Sequence, residues 1–169
     1  MRLLSKYREQ GFTLLALLVI INIMGLSLSL SGKYWYTVKT REREKELLFR
    51  GFQFIKAIGN YYQNSPGSAK TYPTNLRDLL KDQRFSNTKR YIRRIYKDPM
   101  KQDNDWGTIV DKYGRIKGVY STSGMEPLKK EGFHGELSRF TGKEKYSEWK
   151  FIYYPPEKNK QGNKRENKK

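Results

Sequence analysis

The chain contains no cysteine and only one histidine in its 169 residues. The first absence excludes a disulfide scaffold, thiolate metal sites and a cysteine nucleophile. The second excludes any two-histidine metal motif and deprives acid–base schemes of imidazole. Proline is missing between Met1 and Ser65, so nothing there forbids one continuous helix. Acidic residues are scarce, 17 against 35 Lys and Arg, for a formal net charge of +18. Charge of either sign is absent from 11–32. Hydrophobic residues make up 36% and charged ones 31%, below and above the usual globular shares. The composition therefore describes one very apolar segment joined to a polar, basic remainder, whose length suits a single domain.

Residues 1–11 form a short basic leader, with Arg2, Lys6 and Arg8 against Glu9. The uncharged run that follows, 12–32, is dominated by Leu and Ile. As a helix it would extend about 30 Å, enough to cross the hydrocarbon core of a membrane. Asn22 within it asks for a partner from a neighbouring helix. Tyr34, Trp35 and Tyr36 follow as an aromatic belt would. A cleaved secretory signal fits poorly, because the run exceeds the usual stretch of roughly 7–15 apolar residues and no small-x-small site follows it.

Gly11-Phe12-Thr13-Leu14-Leu15 opens the apolar run. It resembles the class III signal of type IV pilins and type II secretion pseudopilins. The resemblance implies cleavage after Gly11 by a prepilin peptidase and N-methylation of the new terminal Phe12. It also implies a single-pass protein of the bacterial inner membrane with its head in the periplasm. Positive-inside counting does not set that orientation, since Lys33, Lys39, Arg41, Arg43 and Lys45 follow the span. Pilin-like subunits usually carry Glu five residues into the mature chain, where it offsets the terminal amine of a neighbour. Here that position is Ala16, which implies a minor or tip subunit.

Beyond the apolar run, Leu48, Phe52, Ile55, Ile58 and Tyr62 recur at helical spacing, with Leu47 and Tyr61 widening the stripe. The alternating charges of 41–46 suit a solvated helix face, and Glu46 stands four residues before Arg50. One helix is expected from about Phe12 to about Asn64, where Asn64-Ser65-Pro66-Gly67 stops it. Tyr72-Pro73-Thr74-Asn75-Leu76-Arg77-Asp78-Leu79-Leu80 predicts a short second helix with Thr74 as N-cap. Trp106–Asp111 and Arg115–Ser121 predict a hairpin across Lys112-Tyr113-Gly114, and Trp149–Tyr154 predicts a third strand. Residues 122–147 read as a long connection with one apolar patch at Phe133. Ile109, Val119, Trp149 and Phe151 should meet the helix stripe in one modest core.

The Tyr-Pro-x-x-Leu-x-x-Leu phrase and Lys97-Asp98-Pro99 resemble elements of G-type pseudopilins. The expected fold is α+β, a pilin-like ladle. A long N-terminal helix, half transmembrane and half amphipathic, would pack on a small antiparallel sheet. The expected organisation is a leader (1–11), a transmembrane helix (12–32), its amphipathic extension (33–64), a globular head (65–156) and a disordered basic tail (157–169).

Asp98, Asp103, Asp105 and Asp111 are the acidic residues best spaced for a hard cation, but they lack an EF-hand rhythm. Turn-forming aspartates explain them better, so no metal and no cofactor is expected. His134 reads as a loop residue, and Ser121, Ser123 and Ser138 lie in no triad motif, which points away from an enzyme. Residues 81–101 hold eight basic and two acidic side chains interleaved with Phe85, Tyr91 and Tyr96. Such a run suits nucleic acid, anionic headgroups or acidic partner subunits. The reading that gathers most of these features is a pseudopilin-like structural subunit of a type II secretion or related pilus assembly. Its partners would be other pilin subunits, the prepilin peptidase, an inner-membrane assembly platform and the membrane itself. The competing readings are a DNA-binding pilin of a DNA-uptake pilus, with nucleic acid as a less favoured partner, and a plain membrane-anchored periplasmic domain.

Overall fold

A single helix, α1 (Leu3–Gln63), supplies more than a third of the chain. The computed structural model describes the backbone of residues 3–101 and 105–156, and within these the side chains of 11–25, 34–101 and 105–156. The leader side chains, Asp103 and the expected disordered tail (157–169) lie outside the described residues. The chain divides into two units, Met1–Glu42 and Arg43–Lys169.

In the first unit α1 continues through residues expected to be a separate leader. Among the described residues no helix is long and apolar enough to cross a membrane. This corrects the expected transmembrane half of the helix. It equally corrects single-pass placement in an inner membrane with a periplasmic head. Asn22, expected to seek another helix, instead donates its side-chain amide to the Leu18 carbonyl at 2.7 Å.

The second unit is α+β, built on a three-stranded antiparallel sheet in the order β1-β2-β3. Strands β1 (Gly107–Val110) and β2 (Ile116–Tyr120) form the expected hairpin, and β3 (Lys150–Ile152) pairs with β2. The hairpin closes on Asp111, whose Oδ1 accepts from the amides of Tyr113 and Arg115 at 2.8 and 2.9 Å. Gly114 sits there at φ +75°, a conformation that L side chains resist. The predicted second helix is a single 3₁₀ turn, Leu76–Leu79, and its cap is Asn75, not Thr74. Asn75 accepts from the Arg77 amide at 2.9 Å while Asp78 takes the amides of Thr74 and Asn75, a capping box.

Leu47, Phe54, Ile55, Ala57, Ile58 and Tyr61 form the buried face of α1. The expected stripe is therefore rotated: Leu48 and Tyr62 are half-buried and Phe52 is 45% exposed. Two glycines set the rotation. A Cβ on Gly51 would stand 2.3 Å from the Phe151 ring, and one on Gly59 would stand 2.7 Å from Tyr153. The segment carrying β3 thus lies on the helix where its surface is lowest. Of the sheet residues expected in the core, Val119, Trp149 and Phe151 are fully buried, whereas Ile109 is half-buried.

Residues 122–147 are better organised than expected. Two 3₁₀ turns, Gly135–Phe140 and Tyr146–Glu148, carry Phe140 and Tyr146 into the core. Phe140 stacks parallel on Trp149 with centroids 5.3 Å apart, and Phe133 and Tyr146 meet the same indole edge-on. Glu44, expected on a solvated face, is buried instead. Its Oε2 accepts from the amides of Leu128 and Lys129 and from the Tyr146 hydroxyl at 2.9, 3.2 and 2.7 Å. The expected Glu46–Arg50 pair forms at 2.7 Å.

A candidate basic groove

The basic run 81–101 has no regular element of its own, and an isolated bridge between Asp82 and Lys89 pins its turn. Its two carboxylates are both interior, each at 1% exposure. Arg84 grips Asp82 through Nε and Nη2 at 2.9 and 2.7 Å, and Tyr91 donates its hydroxyl at 3.0 Å. The same guanidinium reaches Ser65 and the Tyr61 carbonyl and lies 3.6 Å over the Tyr61 ring. Burial disfavours the Asp82 carboxylate, yet the bonds from Arg84 and Tyr91 outweigh it and hold the group below its usual range. Tyr91 is pushed up to about 12, by burial first and by the Asp82 carboxylate second.

Asp98 is consumed differently. Its oxygens accept from the Met100 amide, the Ser121 hydroxyl and the Thr122 amide at 2.9, 2.6 and 3.2 Å. Both acids of the run are therefore structural, while Lys81, Arg90, Arg93, Arg94, Lys97 and Lys101 remain exposed. From residue 81 to 101 the surface presents cations and no carboxylate.

Part of this run lines a groove of about 480 Å³. Arg77 and Lys97 border it, Tyr96, Ile95, Leu76 and Trp106 supply apolar surface, and Asp105 is its one acid. Arg94 and Arg50 both lie against the Tyr96 ring, 5.3 and 5.8 Å from its centroid, and Arg50 also donates to the Lys97 carbonyl at 2.7 Å. The Trp106 indole N–H is buried with no hydrogen-bond partner among the described residues. Arg50 and Arg94 thus flank Tyr96, while Arg77 and Lys97 line the groove with it.

The other residues singled out in the sequence lie apart from this groove or do other work. Gly11 and the 72%-exposed Phe12 sit inside α1, and Ala16, where the resemblance to pilins leads one to expect Glu, is half-buried there. Asp111 serves the hairpin turn, and the amides of Arg115 and Tyr113 outweigh desolvation to lower its pKa. Asp98 and Asp105 do not converge with it on a cation, and the described residues hold no group of three or more potential ligands. His134 precedes a 3₁₀ turn and is exposed; Ser121 is committed to Asp98. Sequence reasoning missed the Arg84–Asp82 lock and the Asp98 cap. The i, i+2 spacing of Asp82 and Arg84 was the one available sign of the first.

Comparison with protein-family models, curated proteins and solved structures finds no match to this chain.

Proposed function

We propose that the chain is a pseudopilin-like structural subunit that joins a short fibre by lateral packing of α1. The observation that carries this reading is the exposure of the apolar start of α1 on all sides. Leu18, Val19, Ile20 and Ile21, consecutive on α1, are each about half exposed. Residues one apart on a helix differ by about 100°, so these four face different directions. One flat partner would leave most of them in water, whereas several surrounding helices would cover them all. The order of elements supports the same reading: a long helix, a capped turn, then a small antiparallel sheet.

In this scheme a prepilin peptidase cuts after Gly11 and Phe12 becomes the methylated terminus. Ala16 leaves that terminal amine without a carboxylate from an identical neighbour. The subunit then enters next to companions that carry the acid, as a minor or tip component of a type II secretion or related pilus assembly. Two measurements test this. Amino-terminal sequencing of protein from cells should find N-methylated Phe12; an intact Met1 overturns the proposal. Ala16→Glu should raise self-assembly seen by electron microscopy, while long homopolymeric fibres of the unmodified chain would refute the minor role.

A further inference from the structure

From the groove between Arg77 and Lys97 and the adjoining run 81–101, we infer that the head binds the phosphate backbone of nucleic acid. The inference is separate from fibre assembly and does not depend on it.

Three observations carry it. First, both acids of the run are interior, Asp82 ion-paired with Arg84 and Asp98 held by neutral donors, so the surface of the run presents cations without carboxylates. Second, Arg77 and Lys97 border one cleft, with Arg94 against Tyr96 at its wall, and none of the three pairs with a carboxylate among the described residues. Third, the excess is not confined to the cleft, since Lys81, Arg90 and Arg93 of the same run are exposed beyond it. An acidic protein patch is small and would be matched by a discrete set of cations. A nucleic acid carries one charge per roughly 1.7 Å of duplex and rewards cations distributed along its path by releasing counterions. A long polyanion fits the distribution better. No helix or strand in the run is placed to read base edges, so recognition would be of the backbone, independent of sequence.

The test uses the full chain and a fluorescein-labelled duplex of about 20 base pairs, followed by anisotropy between about 50 and 200 mM salt. If six cations engage phosphates, affinity should fall about 10³-fold across that range. The variant Arg77→Gln/Arg94→Gln/Lys97→Gln should make the salt slope shallower by about 2.7. Lys143→Gln/Lys145→Gln/Lys150→Gln removes equal charge from exposed positions elsewhere and should leave the slope near that of the parent. The charge-preserving Arg77→Lys/Arg94→Lys variant should retain it too. Tryptophan emission and far-UV circular dichroism confirm that each variant is folded. Equal losses in the groove and control variants would reduce the effect to bulk charge and overturn the site. Displacement of the duplex by polyglutamate at equal charge would assign the groove to an acidic protein. Binding to phosphatidylglycerol vesicles without binding to the duplex would assign it to lipid; either result refutes the proposal.

Discussion

Replacing Glu44 by Ala removes the acceptor for three donors at once, and the loss can be sized from the geometry. A hydrogen bond to a charged group contributes about 1.5–3 kcal/mol, a neutral one about 1 kcal/mol. The bond from the Tyr146 hydroxyl, at 2.7 Å, is buried, which places it at about 2 kcal/mol. The amides of Leu128 and Lys129 are only part-buried, so water replaces some of each bond and about 0.5–1 kcal/mol apiece is lost. The sum is about 3–4 kcal/mol. Urea unfolding followed by tryptophan emission suits the measurement, because Trp149 stands edge-on to Tyr146 at 5.1 Å. With a urea slope near 1.5 kcal/mol per M, the midpoint should fall by about 2 M. Tyr146→Phe alone should cost about 2 kcal/mol, and adding it to Glu44→Ala should cost little more, because the shared bond is already gone. A midpoint shift equivalent to less than about 1 kcal/mol, or strict additivity of the two changes, would refute the assignment of Glu44 as an internal clamp.

Trp149→Ala should destabilise the head by about 3–5 kcal/mol in the same assay, and Phe52→Ala by less than about 1 kcal/mol, since only the former is fully buried. Gly51→Ala should cost about 1–3 kcal/mol, because the new methyl would collide with the Phe151 ring; a neutral result in thermal denaturation would show that β3 can move off the helix. Asp82 has a folded pKa below its unfolded value, so its contribution is present above about pH 4 and is lost as pH falls through the folded value. Asp82→Asn should therefore be less stable than the parent at neutral pH, with the gap closing in acid unfolding curves.

The sheet was legible in the sequence because its signals are local. Lys112-Tyr113-Gly114 marks a turn that needs positive φ, and the flanking β-branched runs mark the two strands, though not the shift of register between Ile109 and Val110. The phase of α1 was not legible from periodicity. Apolar side chains at Leu47, Leu48, Phe49, Phe52, Phe54, Ile55 and Ile58 surround much of the helix, so hydrophobicity alone cannot select the buried side. The choice falls to Gly51 and Gly59, residues that contribute nothing to a hydrophobic pattern but admit aromatic rings from β3 and Tyr153. The basic run was visible as composition, but its net surface charge depended on whether Asp82 and Asp98 faced inward. That was decided by Arg84 and Tyr91 for one and by Ser121 and Thr122 for the other. For Asp98 the deciding partners lie more than twenty residues away and leave no trace in a local window, whereas those of Asp82 lie within nine. The apolar start of α1 misled for a related reason: uncharged composition alone does not say whether lipid or protein is the intended surroundings.

The clamp on Glu44 and the seat at Gly51 both take partners about a hundred residues further along, Tyr146 and Phe151. During synthesis the helix is therefore complete long before the ring that fills Gly51, or the hydroxyl that reaches Glu44, has emerged from the ribosome. At about 5–20 residues per second this interval lasts about 5–20 seconds, during which Gly51 and Glu44 lack the ring and the hydroxyl that later meet them. Closure by such distant segments is also slow once the chain is free, since the intervening loop must be ordered before those contacts are gained. The nascent helix is thus the stage at which a chaperone has most to cover, and slowing translation through the last turn and β3 should lengthen that exposure and lower the yield of folded protein.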